Sequence, residues 1–488
     1  SNFAKMTSID GYTQEYTTES YLSRARYNFA ERYFMDASFR RDGSSRFYEP
    51  WGNFWSLGAS WIISQEKFMK DLTWIDNLKF RVSYGEVGND AGADYYAYKE
   101  LFYSDVNAGI GAFYKIQIPN KNLKWETSGS LDIALEGRLF NRFNFSLDFF
   151  NKTSKDLLFT VYNPLSAGAT NWYATSDETP TGMSQYFANI GSVRNTGLEV
   201  AMDVDAIRTK DWKWNIGLNL TTIHNEITKL PGGKDILHGT QNYSEGHSIY
   251  EFYTYTYTYA GVDQMTGRAL YNANSQLSEG TVNALKARGD YVTINDKNYV
   301  YNTSYAEKDW QGSALPDVYG SINTALTWKD LTLSVLCTYS LGGKVYDYNY
   351  QGLMYTTTNG PSALHKDVLN GWKVAPEGMT ADSPNRLDPN GTPQFDLSGL
   401  ASTSYGASSR WLTDASYFVI KNINLNYSFP KRMVNKWGLS GLNIYGSIEN
   451  AATFTARKGM NPQYSFSGSQ DNTFVAARVF TLGLNLNF

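Results

Sequence analysis

The last residues of the chain alternate between apolar and polar side chains without interruption. From Phe480 to Phe488 every second residue is apolar, and the residues between them are threonine, glycine and asparagine. This period of two is typical of an antiparallel strand with one dry face and one wet face. The pattern therefore predicts a strand that keeps both faces up to the last residue.

The same alternation recurs along the chain and predicts fifteen antiparallel strands. They lie near residues 18–29, 33–41, 53–63, 78–87, 125–139, 142–151, 196–206, 213–223, 249–260, 266–272, 318–328, 331–340, 417–429, 441–450 and 475–488. Many of these runs span roughly nine to twelve residues, whereas strands of globular proteins usually have about five or six. A tilted strand needs about nine to eleven residues to cross a bilayer.

The polar face of these strands is rich in asparagine, serine, threonine and glycine. Such side chains suit a water-filled lumen. Aromatic side chains gather towards the strand ends, as at Trp51 and Trp212, where membrane barrels have aromatic girdles. We therefore predict an all-β fold, a transmembrane antiparallel β-barrel. A large secreted β-sandwich or propeller is the alternative, because its strands would alternate as well.

Short and long connections alternate between the predicted strands. We expect the short ones to be periplasmic turns and the long ones to be extracellular loops. The long ones are predicted near residues 88–124, 152–195, 224–248, 273–317, 341–416 and 451–474. Bacterial barrels usually have an even number of strands, which a count of fifteen does not satisfy. Either the count is wrong by one strand, or the chain is the C-terminal part of a larger barrel with residues 1–17 in an extracellular loop, and we favour the second alternative.

The composition argues against several other classes of protein. The 488 residues carry a net charge of −4 and only 18% are charged, so nothing favours a nucleic-acid partner. The single cysteine excludes an internal disulfide framework. No apolar stretch reaches about eighteen residues, so we expect no membrane-spanning helix, and the first residues do not have the pattern of a signal peptide.

Sequence motifs of catalysis and metal binding are missing. The four histidines have no metal-ligand spacing, and no P-loop, GxSxG or HExxH motif occurs. We therefore predict no enzyme activity, no metal site and no cofactor.

The candidate substrate-binding residues lie in the long connections. Aromatic side chains beside asparagine and aspartate suit stacking on sugar rings and hydrogen bonding to glycans or to peptide backbones. The candidates are Asn171, Trp172, Tyr173, Trp310, Tyr405 and Trp411. The alternative is that these side chains pack loop against loop, or against a partner protein.

Several segments resemble the SusC/RagA family of TonB-dependent outer-membrane transporters of Bacteroidetes. The resemblance is carried by YFMDASFRRDGSSRF, WGNFWSLGASWIISQEKFMKD, LKFRVSYGEVGND, NIGSVRNTGLEVAMDV, DWKWNIGLNLTTIHNEITKL, EGHSIYEFYTYTYTYAGVDQMTGRALY, LTDASYFVIKNINLNYSFP and ARVFTLGLNLNF. These segments occur in the family's order and span nearly the whole chain.

The resemblance implies a plugged barrel of about twenty-two strands, of which this chain would supply about fifteen, without the plug domain. It implies an importer of oligosaccharides or oligopeptides in the cell outer membrane, acting with a SusD-like surface lipoprotein as a lid. TonB would be contacted through an N-terminal part that is not in this chain, and a plug and further barrel segment would complete the barrel. A dimer of the importer–lipoprotein pair is a further expectation.

Two alternative functions remain open at this stage. One is a passive porin-like channel or a surface adhesin that uses the same barrel. The other is a soluble carbohydrate-binding β protein. The substrate class also stays open, because no loop motif distinguishes glycans from peptides.

Overall fold

The computed structural model describes most of the chain. The described residues are 13–107, 109–162, 185–238, 241–253, 257–354, 363–395, 406–457, 459–461, 463, 468–470 and 476–488. Statements about the structure below refer to these residues.

Strands dominate the described residues. They are β1 (Thr18–Phe29), β2 (Tyr33–Ser44), β3 (Trp51–Ile62), β4 (Ile75–Asn89), β5 (Leu101–Asn107), β6 (Ile110–Gln117), β7 (Glu126–Leu139), β8 (Phe143–Tyr162), β9 (Gln185–Arg208), β10 (Trp212–Lys229), β11 (Ile236–His238), β12 (Gln241–Tyr243), β13 (Tyr259–Asp263), β14 (Ala269–Asn272), β15 (Tyr291–Ile294), β16 (Lys297–Val300), β17 (Val318–Trp328), β18 (Leu331–Leu341), β19 (Lys344–Asp347), β20 (Leu387–Asp388), β21 (Leu412–Asp414), β22 (Tyr417–Ser428), β23 (Gly441–Thr455), β24 (Ser469–Gln470) and β25 (Val479–Asn487).

Helices are few and short. They are α1 (Glu279–Ala287), α2 (Tyr348–Met354) and α3 (Lys431–Val434). In α1 the hydroxyl of Ser278 accepts a hydrogen bond from the backbone N–H of Thr281, the usual N-cap interaction that begins a helix. In the part of the chain that the structure describes, no helix is both long and apolar enough to cross a membrane.

The chain divides into two units, and four strands contribute residues to both. The first unit comprises residues 1–138, 148–196 and 227–234, and the second comprises 139–147, 197–226 and 235–488. Strands β8, β9 and β10 are shared, and β7 contributes its last residue, Leu139, to the second unit.

In the first unit, hydrogen-bonded neighbours follow the chain order β1-β2-β3-β4-β7-β8, with β1 to β4 antiparallel, and β5 forms an antiparallel hairpin with β6. The β1–β2 connection is tight because Ala30 and Glu31 both have positive φ, 53° and 56°. Such a turn matches the right-handed twist of the paired strands. It fixes the register, with Phe29 opposite Tyr33 and Thr18 opposite Ser44.

In the second unit, the order is β8-β9-β10-β17-β18-β22-β23-β25, and the pairs from β10 to β25 are antiparallel. Lys329, with φ of 53°, lies in the tight connection between β17 and β18, and Trp328 pairs with Leu331. The other end of β18 is followed by residues 342–416 before β22 begins. Short and long connections therefore alternate here, as the sequence predicts.

Thirteen of the predicted strands lie in this order, and the strands predicted near 249–260 and 266–272 do not. That part of the prediction was wrong. The described strands there, β13 and β14, belong to a separate five-stranded sheet of order β15-β16-β14-β13-β20. Their alternating side chains are covered by other loop residues, among them Leu285 and Val300, instead of by lipid. The large sheet still has fifteen strands because it includes β5 and β6.

Some strands extend further than the sequence pattern predicts. Strand β8 continues to Tyr162 and β9 begins at Gln185, inside the loop predicted near 152–195. At about 3.3 Å per residue, a strand of 20 residues is roughly 66 Å long. That exceeds a hydrocarbon core of about 30 Å even when the strand is tilted. Strand structure therefore continues into the segment in which the sequence predicts a loop, beyond the length that a bilayer requires.

Candidate functional site

The paired strands of the first unit have one polar and one apolar face. Ser38 of β2 lies opposite Arg24 of β1 and Ser56 of β3. The next residue, Phe39, lies opposite Trp55 and therefore on the other face. Large apolar side chains that are exposed on this second face are Tyr21, Tyr27, Phe29, Met35, Phe39, Trp55 and Leu57. Exposed aromatic and aliphatic side chains in register are what a lipid-facing wall requires.

The polar face of the first unit carries ion pairs. The pairs are Arg24–Asp36 at 2.8 Å, Arg26–Asp36 at 2.8 Å, Arg40–Asp42 at 2.7 Å, Lys79–Glu136 at 3.3 Å, Arg81–Glu136 at 3.3 Å and Arg81–Asp148 at 2.6 Å. Residues of β1 to β4 on this face line a cavity of about 1550 Å³. Solvent-exposed ion pairs contribute little to stability. They place charged side chains in the lining of this cavity, beside apolar ones such as Leu22, Phe54 and Trp125.

The polar face of the second unit is uncharged along strands β17, β18 and β25. Ser334 of β18 lies opposite Asn424 of β22, which lies opposite Ser447 of β23, and Ser447 lies opposite Thr481 of β25. Their neighbours on the other face are apolar, with Leu333 opposite Leu425. Strands β17, β18 and β25 contain no charged residue. This face therefore offers amide and hydroxyl groups to water or to a solute.

The five-stranded loop sheet in the second unit is held by a buried carboxylate, Asp263. Arg386 donates two hydrogen bonds of 2.9 Å to it, from Nε and Nη2. The hydroxyl of Tyr301 donates a third hydrogen bond of 2.5 Å. Asp263 is fully buried and Arg386 is 8% exposed. This network joins Asp263 of β13 to Arg386, which lies 123 positions further along the chain.

The local sequence DQMTGR explains how Asp263 is presented. Its carboxylate accepts hydrogen bonds from the backbone N–H of Met265, at 3.0 Å, and from the hydroxyl of Thr266, at 3.1 Å. Gly267 takes a positive φ of 70°, which closes the turn between β13 and β14. Aspartate, threonine and glycine are thus each required by the turn.

The pKa of Asp263 is lowered and the pKa of Tyr301 is raised in this network. Burial alone would raise the pKa of Asp263, but the hydrogen bonds from Arg386, Tyr301 and the Met265 N–H outweigh it and hold the pKa below its usual value. Burial, together with the hydrogen bond to Asp263, raises the pKa of Tyr301 to about 12. At neutral pH the aspartate is therefore charged and the tyrosine is neutral.

The stability of the loop sheet should depend on pH through Asp263. Because its folded-state pKa lies below its unfolded value of about 4, the stabilisation is complete above that value and is lost as pH falls through the folded-state pKa. We expect hydrogen–deuterium exchange of β13 and β14 to stay slow from pH 7 to about pH 4 and to accelerate below it. A D263N variant should lack this acid transition, and an unchanged transition in that variant would contradict the assignment.

A second loop cluster in the same unit surrounds a three-stranded sheet of order β21-β19-β24. Its buried core consists of Phe252, Ala314, Tyr346, Met354 and Trp411. Arg457 donates a hydrogen bond of 2.7 Å to the buried Asp347, and its guanidinium lies 3.3 Å from the centroid of the Tyr350 ring. These contacts join several long connections into one packed structure.

Trp411, a candidate for substrate binding, is fully buried in this cluster. Its indole N–H donates a hydrogen bond of 2.9 Å to the carbonyl of Gly406. A ring without exposed surface has no face on which a sugar could stack. For Trp411 the structure therefore supports the alternative of loop-on-loop packing.

Removal of the Trp411 side chain should loosen the second loop cluster. Truncation of a buried tryptophan to alanine typically costs about 3–5 kcal/mol. We expect W411A to accelerate hydrogen–deuterium exchange in β19 and α2. W310A should leave exchange in these two elements close to that of the wild type, because Trp310 lies outside the buried core. Equal effects of the two substitutions would contradict this account.

Trp310 is partly covered by other aromatic rings. The His247 ring stacks on it with centroids 3.7 Å apart and planes at 8°. The Tyr253 ring lies 4.9 Å away at 45°. His247 is itself placed by a 2.6 Å contact between its Nδ1 and the carboxylate of Glu251. A role of Trp310 in binding stays a prediction.

The other candidate residues, Asn171, Trp172, Tyr173 and Tyr405, lie outside the described residues. Sequence reasoning did not find Asp263 and Arg386, nor the pair formed by Arg457 and Asp347. Only the DQMTG turn signal marks Asp263 locally, and nothing near Arg386 indicates a partner so distant in the chain. Within the described ranges, no three histidine, cysteine or carboxylate side chains are placed to hold a metal ion.

Comparison with known proteins places this chain in a family. Residues 1–451 match the family described as TonB dependent receptor-like, beta-barrel. TonB-dependent receptor P39 of Formosa agariphila is 30% identical over 482 residues, which cover 92% of this chain and 44% of the relative. TonB-dependent receptor SusC of Bacteroides thetaiotaomicron is 28% identical over 513 residues, which cover 99% of this chain and 45% of SusC.

A solved structure shares the fold. The structure of the RagAB peptide transporter matches with a TM-score of 0.74 and 23% identity, over 97% of this chain and 48% of that chain. This chain thus spans about half the length of the relatives and solved structures that it matches. The predicted resemblance to SusC and RagA and the predicted all-β transmembrane barrel are both confirmed. The chain belongs to the TonB-dependent receptor-like β-barrel family of outer-membrane proteins.

Proposed function

We propose that this chain supplies wall strands and large loops to an importer that takes up oligosaccharides or oligopeptides in a TonB-dependent manner. The observation that carries the proposal is the two-faced wall, with apolar side chains in register on one face and, in the first unit, a charged cavity of about 1550 Å³ on the other. A cavity of that size, with charged groups among its lining residues, suits a hydrated solute much larger than an ion. The family membership and the relatives named SusC and RagAB support the same function.

In the proposed mechanism the chain contributes binding and passage, and no bond of the substrate is broken. The packed loop clusters, with Asp263 and Trp411 at their centres, hold the extracellular ends of the strands in a fixed arrangement. Substrate would be held there beneath a SusD-like lipoprotein lid. Force transmitted from TonB would then displace a plug and open the path along the polar wall.

Further barrel strands and a plug are proposed as partners of this chain. Among the described strands, β1 pairs with β2 alone and lies at the end of the order of the large sheet, and all twelve of its residues are exposed. An unpaired strand edge inside a bilayer leaves backbone N–H and C=O groups without partners, which costs several kcal/mol for each group. A partner strand on the free edge of β1 would remove this cost.

Energy-dependent uptake tests the proposal. The gene for the complete protein is deleted in its own organism, and uptake of labelled neutral oligosaccharides and of labelled oligopeptides is measured with and without a protonophore. We expect the deletion to abolish uptake of one class, and the protonophore to abolish the same uptake in the wild type. Deletion-sensitive uptake that survives the protonophore would support the passive channel instead. Unchanged uptake of both classes would overturn the importer.

A further inference from the structure

The connection between β22 and β23 is a short helical turn with a basic surface. It consists of α3 and a turn of 3₁₀ helix, Asn435–Trp437, and residues 430–438 are called the basic turn below. The carbonyl of Pro430 accepts hydrogen bonds of 2.8 and 3.3 Å from two backbone N–H groups of α3, and Gly438 ends the segment with a positive φ of 76°. Val434 is fully buried. The exposed side chains of the turn therefore project from a fixed backbone.

The strand register places the basic turn at the periplasmic end of the wall. Tyr427 lies opposite Leu331, the first residue of β18. The backbone N–H of Ser428 donates a hydrogen bond of 2.9 Å to the carbonyl of Asp330, in the tight connection between β17 and β18. The tight connections of outer-membrane barrels face the periplasm. The basic turn therefore lies where the wall leaves the inner leaflet of the outer membrane, and this leaflet consists of phospholipids.

A line of aromatic rings connects the lipid-facing side of the wall to the basic turn. Tyr427 lies on the face that carries Leu333 and Leu425. The ring of Phe429 lies 4.9 Å from the Tyr427 ring, and the Trp437 ring lies 6.2 Å from that of Phe429. Trp437 is 56% exposed. Because tryptophan is enriched at membrane–water interfaces, this indole marks the boundary between hydrocarbon and headgroups.

The basic turn carries three exposed cations, Lys431, Arg432 and Lys436. Within the described residues, none of their side chains forms an ion pair or a hydrogen bond. Met433 and Trp437, in the same turn, are exposed as well. A basic surface that faces only water needs no apolar side chains beside its charges. Cations next to exposed apolar groups fit the boundary of a membrane, where basic side chains attract anionic headgroups.

Acidic groups near the basic turn do not balance its charge. No aspartate or glutamate occurs from residue 429 to residue 440. Asp330 has Lys329 beside it in the tight connection between β17 and β18. The last residue, Phe488, lies beside Ser440, whose hydroxyl donates a hydrogen bond of 3.1 Å to the carbonyl oxygen of Phe488. Even with these two carboxylates, positive charge is in excess at this end of the strands.

We propose that the basic turn binds the phosphate of an anionic phospholipid of the inner leaflet. Lys431, Arg432 and Lys436 contact the headgroup, and Trp437 lies beside the upper part of the acyl chains. The continuity of the aromatic line with the lipid-facing wall favours a lipid over a soluble anion. A lipid bound here fixes the depth of β22 and β23 in the membrane. The inference needs the outer-membrane location of the chain and does not depend on import or on a substrate.

Photo-crosslinking of the complete protein in phosphatidylcholine vesicles tests the proposal. The probes are photoreactive phosphatidylglycerol and photoreactive phosphatidylcholine with the same acyl chains, and cross-links to residues 429–440 are mapped by mass spectrometry. We expect the wild type to react with the phosphatidylglycerol probe at least tenfold more than with the phosphatidylcholine probe. The variant K431Q/R432Q/K436Q should react with both probes alike, because only one of the two headgroups carries a net charge.

The matched control is K234Q/R288Q/K297Q, which removes the same charge from three exposed cations outside the basic turn. We expect this control to keep the preference of the wild type. The single variants R432Q and K436Q, each expected to weaken the preference severalfold, provide the test if the triple variant does not assemble.

Three results would overturn the phospholipid site. The first is an equal reaction of the wild type with both probes at the basic turn. The second is a preference that K431Q/R432Q/K436Q leaves unchanged. The third is loss of the phosphatidylglycerol cross-link when inorganic phosphate is added at constant ionic strength, which would indicate a site for a free anion. All three are measured without transport, so they are independent of the uptake experiment.

Discussion

The D263A variant is expected to lose the five-stranded loop sheet while keeping the wall strands. Asp263 is fully buried and accepts hydrogen bonds from Arg386, Tyr301, Met265 and Thr266. Removing one partner of a buried ion pair leaves the other charge uncompensated and typically costs about 3–5 kcal/mol. That loss is large compared with the stability of a small sheet. Hydrogen–deuterium exchange should become fast in β13, β14 and β16.

The control is D382A, which removes an exposed carboxylate from the long connection 342–416, the one that contains Arg386. We expect exchange in D382A to match the wild type throughout. Exchange in β17 and β18 should be slow in both variants, because the wall strands are held by their own pairing. Slow exchange of β13 in D263A would mean that the network is dispensable.

The second large effect is expected at the C-terminal strand, β25. Leu482 lies on the lipid-facing side and is 84% exposed. An arginine on the lipid face near the bilayer centre costs about 2–4 kcal/mol. L482R should therefore be assembled poorly, with a lower level of folded protein in the outer membrane. The measurement is the heat-modifiable folded band in membrane fractions.

T481R is the matched control for L482R, since Thr481 is adjacent in sequence and lies on the polar face opposite Ser447. A charge on the wet side is hydrated, so T481R should assemble to nearly the level of the wild type. Similar losses in both variants would indicate that β25 does not separate lipid from water.

The wall could be predicted from the sequence because two constraints act on every residue of it. A bilayer sets the strand length, and the lipid–water contrast sets the period of two. β17 and β18 show this most clearly, because the predicted ranges 318–328 and 331–340 agree with Val318–Trp328 and Leu331–Leu341. Tight turns with positive φ between such strands leave little freedom in the register.

The loop sheet could not be predicted in the same way. The alternating tyrosines and threonines before Tyr259 have the same period as a wall strand. Their surroundings differ, because β13 and β14 pack against α1, where Leu285 is fully buried. Periodicity reports that one face is covered but does not report whether lipid or protein covers it.

The candidate binding site was the part least accessible to sequence reasoning. Trp411 was selected as an aromatic residue in a long connection, and the structure buries it among Phe252 and Tyr346. Partners such as Asp263 and Arg386 are 123 positions apart, so no local pattern connects them. Long-range packing of loops decides which aromatics remain available, and a single sequence does not contain that information in local form.

The central claim is that these strands form a wall with lipid on one side and water on the other. Spin labels at single cysteines test it most directly, after the native cysteine is removed by C337S. We expect labels at Leu333 and Leu425 to be relaxed by oxygen, which partitions into lipid, and labels at Ser334 and Asn424 to be relaxed by a water-soluble nickel chelate. Labels at adjacent positions that respond alike to both reagents would contradict the account.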